Sequence, residues 1–199
     1  MKKIYLIAAM IFVSAILFAQ DTIIVNNMPM VDSQVEFSKI VQIDSADLKD
    51  IYKKAKSATL DVFKSYKAAN NFDDKESGII SFSGNFTNIM DWGSIFGISQ
   101  AEEWLVKFDL TILLKETRYK VMVNKLSVMP LDNPKYQYPI ETYYSKYSKV
   151  FFRGFGSTKR WREKYYEKNI DFLNDTKRKI NGLIDGLISG IQNNKKFDF

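Results

Sequence analysis

The sequence predicts an α+β domain: an antiparallel sheet of about four strands in the order β-α-β-β-β, one helix packed on it, and a long C-terminal helix. Three observations carry this. Several short runs alternate apolar with polar residues, the strand period. Two stretches, 48–69 and 157–193, instead repeat apolar residues every three or four positions, the helical period. The longest alternating run, Trp104 to Leu114, is followed after a short turn by another from Tyr119, which is the layout of a hairpin.

Residues 1–20 stand apart. Lys2 and Lys3 make a basic start, Ile4 to Phe18 an apolar run broken by Ser14, and Ala19 a small residue before polar Gln20 and Asp21. That layout is a secretory signal peptide, and the apolar run is shorter than the roughly 20 residues a membrane-spanning helix needs. The expected address is therefore the periplasm or the medium, with no integral membrane segment once the leader is removed. Residues 21–33 read as an extended stretch with a turn at Met28-Pro29. Val35, Phe37, Val41 and Ile43 then share one face of a strand, with Lys39 the exception on that face. Asp44 or Ser45 can cap the next helix, and Asp47 suits its first turn. That helix buries Leu48, Ile51, Tyr52, Ala55, Ala58, Val62, Phe63 and Tyr66 and ends near Ala69.

Gly78 opens a second strand with Ile80, Phe82, Gly84 and Phe86 on one side. Residues 87–101 read as a loop holding Trp92 and Phe96. In the long strand that follows, Trp104, Val106, Phe108, Leu110, Ile112 and Leu114 lie on one side and Leu105, Lys107, Asp109, Thr111, Leu113 and Lys115 on the other. A two-residue turn at Glu116-Thr117 sets Leu114 against Tyr119, Ile112 against Val121 and Leu110 against Val123, one buried face throughout. Residues 130–156, rich in tyrosine and lysine, read as an irregular connector. The last helix carries Trp161, Tyr165, Phe172, Leu173, Ile180, Leu183, Ile184, Leu187, Ile188 and Ile191 as its stripe. Gly182, Gly186 and Gly190 each cost it roughly 1 kcal/mol of propensity, so close packing against a neighbour is expected there.

Composition narrows the chemistry. The 199 residues include no cysteine and no histidine. Disulfides, thiolate nucleophiles, cysteine metal sites, histidine bases and Ser-His-Asp triads are thus excluded. What remains is paired carboxylates, Ser-Lys dyads, Schiff-base lysines, or an oxygen-ligand cation site. No Ser-x-x-Lys occurs. The 29 basic residues, 27 without Lys2 and Lys3, stand against 23 acidic ones, so the formal charge of +6 falls to +4 on cleavage. That bias is mild and does not by itself imply nucleic acid.

The motifs that hint at chemistry have plainer readings. Arg153-Gly154-Phe155-Gly156 looks like the opening of an RNA-binding motif, but Ser157-Thr158-Lys159-Arg160 follows in place of strand aromatics, so a glycine joint before the helix is the better reading. Tyr136, Tyr138, Tyr143, Tyr144, Tyr147, Phe151 and Phe152 interleave with Lys135, Lys146, Lys149 and Arg153. Such a segment could bind single-stranded nucleic acid, sugar or a membrane surface, and more often packs its rings on its own domain. Asp73-Asp74, Glu76 and Glu102-Glu103 lack the spacing of a glycosidase pair or a calcium loop and read as turn charges.

Met30-Val31-Asp32 before Val35-Glu36-Phe37-Ser38-Lys39, the helix entry from Leu48 to Ala58, Asp73-Asp74-Lys75-Glu76-Ser77-Gly78 ahead of the Gly84 strand, and the final hairpin together form a pattern over about residues 30–129. It resembles a family of exported Gram-negative bacterial domains of unknown function with a TATA-binding-protein (TBP)-like fold. Members often have Asp-Gly where this chain has Glu116-Thr117. The resemblance implies a fold and an exported location, and it brings no activity and no catalytic residues. The chain then divides into a signal peptide at 1–20, the TBP-like domain at 30–129, the connector at 130–156 and a helical extension at 157–193.

The function expected is a non-enzymatic, exported binding or structural module without cofactor or metal. Its contact surface is expected on the Trp92/Phe96 loop and on the sheet's second face, where Leu105, Leu113, Met122, Leu126 and Val128 are too apolar for a solvated surface. A protein partner or a second copy would bind there. A carboxylate-based hydrolase of envelope polysaccharide and a nucleic-acid-binding domain are the alternatives.

Overall fold

The computed structural model describes residues 28–43, 47–63, 72–95, 98–146 and 159–193, with the side chains of 92–95, 98–100, 144–146 and 159–162 excepted. The leader at 1–20, Phe96, and the aromatic and glycine residues of 147–158 lie outside the described residues.

A small hairpin comes first. β1 (Met30–Val31) pairs with β2 (Gln34–Val35) around Asp32 and Ser33, whose φ angles of 48° and 65° are left-handed. Two positive φ values in a two-residue loop match the right-handed twist of the strands they join. The turn therefore lies past the Met28-Pro29 position expected, at a pair whose first residue, Asp32, is of a type that visits this geometry more readily than most. β3 (Phe37–Gln42) follows, with Phe37 buried and Val41 half-buried on the inner side. α1 (Leu48–Phe63) starts at Asp47, which is itself the cap: its Oδ1 accepts from the Lys49 N–H at 3.0 Å, and its carbonyl accepts from Asp50 and Ile51.

Four strands complete the main sheet: β4 (Phe72–Asp74), β5 (Ile79–Ile95), β6 (Ile98–Lys115) and β7 (Arg118–Pro130). The order is β3-β7-β6-β5-β4, antiparallel at every junction. The turn at Glu116-Thr117 has the expected register, Lys115 against Arg118 and Leu114 against Tyr119. The loop expected at 87–101 is instead the continuation of two strands: β5 runs on to Ile95 and β6 starts at Ile98. Asn88 and Met90 hold the buried face there, and an asparagine in an apolar row conceals the alternation.

β7 holds the feature that decides the sheet's chemistry. Asp109 pairs with Asn124 and Lys107 with Ser127, so one residue of β6 faces two of β7. Lys125, with φ 50°, is the extra residue of this bulge. Before it Tyr119, Val121 and Val123 face the core; after it Leu126, Val128 and Pro130 do. The expectation that Leu126 and Val128 lie on the second face is thereby corrected: a bulge shifts the parity, and both are buried at no more than 1% exposure.

The stretch read as an irregular connector also contains structure. β8 (Tyr138–Pro139) pairs with Ser127 and Val128 of β7, and α2 (Ile140–Lys146) follows at once. α3 (Lys159–Gln192) is the long C-terminal helix. Ile51, Tyr52, Ala55 and Ala58 of α1, Ile140 and Tyr143 of α2, and Phe172, Leu173, Ile180, Ile184, Leu187 and Ile191 of α3 join one core with the inner face of the sheet. From Phe172 onward the helical stripe expected for 157–193 is buried at Phe172, Leu173, Ile180, Ile184, Leu187 and Ile191 and half-buried at Leu183 and Ile188. Among the described residues every helix packs on that face.

Candidate interaction surface

The other face of the sheet is left without a covering element among the described residues. Its side chains follow from strand parity. β3 supplies Ser38, Ile40 and Gln42; β7 supplies Lys120, Met122, Asn124, Ser127 and Met129; β6 supplies Leu105, Lys107, Asp109, Thr111, Leu113 and Lys115; β5 supplies Ile79, Ser81, Ser83, Asn85, Thr87 and Ile89. The register sets them in rows across the sheet. Two rows cross five strands, Ser38-Met122-Thr111-Ser81-Phe72 and Ile40-Lys120-Leu113-Ile79-Asp74. Ile40 and Phe72 stand 61% and 59% exposed at the two ends of this band, with Met122, Leu113 and Ile79 between them, so apolar side chains interleaved with polar ones are accessible across it.

Several polar groups of the face satisfy one another. Ser81 and Thr111 share a hydrogen bond of 3.0 Å between hydroxyls. The Ser83 hydroxyl donates to Asp109 at 2.7 Å, and Lys125 pairs with the same carboxylate at 2.9 Å. Partial burial works against ionisation of Asp109, and those two partners outweigh it, so its carboxyl titrates below the ordinary value. Gln137 bridges the strands beyond: it donates to Ser127 at 3.0 Å and accepts from Lys107 at 3.4 Å. Lys120 pairs with Glu36 at 3.0 Å. Among these polar groups the face presents the apolar side chains of Ile40, Phe72, Ile79, Leu113 and Met122.

The expected site residues divide. Leu105, Leu113 and Met122 lie half-buried on the uncovered face, as expected, while Leu126 lies in the core. Trp92 is placed in β5 by its backbone alone, and Phe96 is outside the described residues. Sequence reasoning missed Ile40, although β3's own alternation puts it opposite Phe37 and Val41. It also missed Phe72, whose three-residue strand is too short to show a period.

Polar groups also reach the buried side. The Asn88 amide donates to the Phe172 carbonyl at 3.2 Å and to the Thr176 hydroxyl at 3.0 Å; Lys179 donates to the Asn88 Oδ1 at 3.0 Å and the Thr87 carbonyl at 3.2 Å. Tyr143 donates to the Asn169 Oδ1 at 2.6 Å. Each of these bonds ties α3 to β5 or α2, so their reading is anchorage of the helix in register. Tyr119 differs. Its hydroxyl is buried with no hydrogen-bond partner, and burial pushes it up to about 12. Among the described residues no three acidic side chains converge as a cation site, and no helix is long and apolar enough to cross a membrane.

This arrangement, a strand, a helix and then an antiparallel meander with the helices on one face, is that of a described family. Residues 37–129 match the family "Domain of unknown function (DUF4468) with TBP-like fold". Residues 37–129 belong to the DUF4468 family. Two solved structures are similar to this chain. A TBP-like protein from Parabacteroides distasonis is 16% identical with a TM-score of 0.51, covering 80% of this chain and 96% of that one. A DUF4468 family protein from Bacteroides ovatus is 20% identical with a TM-score of 0.49, covering 79% of this chain and 90% of that one. At these identities the likeness concerns fold, and the TBP-like architecture expected from the sequence is the one found. The family carries no assigned function. No curated protein matches the chain.

Proposed function

We propose that this DUF4468 chain is an exported, non-enzymatic binding module, and that its partner is a protein docking an apolar patch on the uncovered sheet face around Leu113 and Met122. The carrying observation is the one-sided arrangement: every described helix lies on the other face, while this one bears exposed Ile40 and Phe72 with Ile79, Leu113 and Met122 between them. A protein with an apolar surface is favoured over a glycan or a nucleic acid. Several polar groups a glycan would grip are already bonded to one another, Ser81 to Thr111 and Ser83 to Asp109, and two of the lysines that would meet phosphates, Lys120 and Lys125, are paired with Glu36 and Asp109. Export is supported by the basic-apolar-small layout of residues 1–20.

The test has two steps. The chain is expressed with its own leader in a native host, its mature mass is determined, and the material it captures from envelope and medium is identified. The captured protein is then purified and titrated directly. A mature mass corresponding to cleavage near Ala19 is expected, with binding that is nearly insensitive to salt and weakened at least about tenfold by Leu113→Lys or Met122→Lys at unchanged melting temperature. Wild-type binding by both variants overturns the face assignment. Turnover of a defined substrate, lost on a single carboxylate substitution, overturns the non-enzymatic reading.

A further inference from the structure

A second surface is independent of that face: the outer edge of β5. β4 pairs with Ile79, Ile80 and Ser81 only. Beyond Ser81, β5 runs to Ile95 with β6 on one side and, among the described residues, no strand on the other. The direction of its backbone groups follows from three bonds. The Gly78 carbonyl accepts from Leu114 of β6, whereas the Thr87 carbonyl accepts from Lys179 and the Ile89 N–H donates to the Asn88 side chain. In an antiparallel pair the bonding direction alternates, so Ser83, Asn85, Thr87 and Ile89 turn their N–H and C=O outward.

Natural proteins guard such an edge with lysine, proline or an inward-pointing charge. Here Ile79 to Met90 contains no charged residue and no proline, in a chain that is 26% charged. By contrast the opposite edge strand, β3, carries Lys39, which is paired with Asp185 of α3. We propose that the β5 edge joins two copies of this chain, antiparallel about a two-fold axis at Asn85, into one continuous sheet.

The occupant is argued from self-complementarity. Pairing centred on Asn85 sets Asn85 against itself, Ser83 against Thr87 of the second copy, and Gly84 against Phe86 of the second copy. Every cross-strand pair is then neutral, and the carboxamides at the axis carry both donors and acceptors. An isologous contact needs this property: whatever one strand offers, the same strand must receive. Roughly six main-chain hydrogen bonds form over that register. The Lys179 contact to the Thr87 carbonyl is compatible with it, since a carbonyl oxygen has two lone pairs. A partner recognised by charge finds nothing to read along this strand.

The experiment is sedimentation equilibrium of the exported chain over a range of concentrations, with three variants and with amide hydrogen exchange. A monomer–dimer equilibrium is expected. Asn85→Lys places like charges at the axis, and Thr87→Pro removes an outward N–H while sparing the β6 side. Each raises the dimer dissociation constant at least about tenfold. Leu113→Lys, in the middle of the uncovered face, leaves it unchanged. Amides of Ser83, Asn85 and Thr87 gain protection as concentration rises. A monomer at all concentrations overturns the proposal, as does a dimer indifferent to Asn85→Lys or one that Leu113→Lys dissociates. Asn85 is exposed in the protomer, so that variant keeps the test valid if Thr87→Pro fails to fold. Because the variants for the face and for the edge differ, either reading can fail alone.

Discussion

Gly182, Gly186 and Gly190 share one spacing along α3 and differ in what surrounds them. A Cβ at Gly190 would lie 2.8 Å from the Ala58 Cβ of α1, whereas at Gly182 and Gly186 it would meet nothing within 4 Å. The sequence expectation of close packing therefore holds at one of the three, because periodicity reveals a face and not what lies against it. Gly182→Ala and Gly186→Ala should each stabilise the protein by about 0.5–1 kcal/mol through helix propensity, and Gly190→Ala should destabilise it, by roughly 1–3 kcal/mol through the clash between helices. Urea unfolding of the three single variants measures this. Gly84 is the strand counterpart. A Cβ there would sit 2.6 Å from the Phe108 ring, which Phe63 and Phe86 also pack against.

At the scale of elements, the bulge in β7 separates what could be read from what could not. The β6–β7 turn and its register were legible, since Leu110, Ile112 and Leu114 and their partners all keep one parity. Past Lys125 the same alternation pointed the wrong way, and a lone lysine in a strand carries no signal that its φ is positive. Deleting Lys125 should return Leu126 and Val128 to the solvated face and abolish cooperative folding, whereas Lys125→Gly, which keeps the count and eases the backbone, should stay within about 1 kcal/mol of the parent. Circular dichroism and chemical denaturation of the two variants distinguish them. The missed extension of β5 has a different cause. Asn88 is a buried polar residue whose partners, Phe172, Thr176 and Lys179, lie far along the chain in α3, so nothing local announces that an amide belongs inside.

The whole molecule inherits a pH profile from its composition. With no histidine and no cysteine, no side chain ordinarily titrates between about pH 6 and 9, so stability should be flat there. On the acid side, Asp109 and Asp175 are both lowered: partial burial raises each, and Ser83 with Lys125, or Lys179 with Arg178, outweigh it. A depressed carboxyl stabilises the fold above its unfolded value, and that contribution fades as pH falls through the folded one. On the alkaline side Tyr119 is raised from 10.0 to about 12, so its contribution is complete below about pH 10 and is lost as pH climbs toward 12. Denaturation midpoints across pH should show this shape. In Tyr119→Phe the alkaline decline should shrink, and stability at neutral pH should hold or rise by about 1 kcal/mol, because a buried hydroxyl without a partner is removed.

The sheet also sets the timing of assembly. β3 waits for β7, its neighbour in the main sheet among the described residues, and the inner face waits for Phe172 through Ile191 of α3. Contacts of such sequence separation close slowly, and a nascent polypeptide cannot make them until α3 has been delivered. A chain emerging from a ribosome would therefore remain unlocked until α3 arrives to close the inner face.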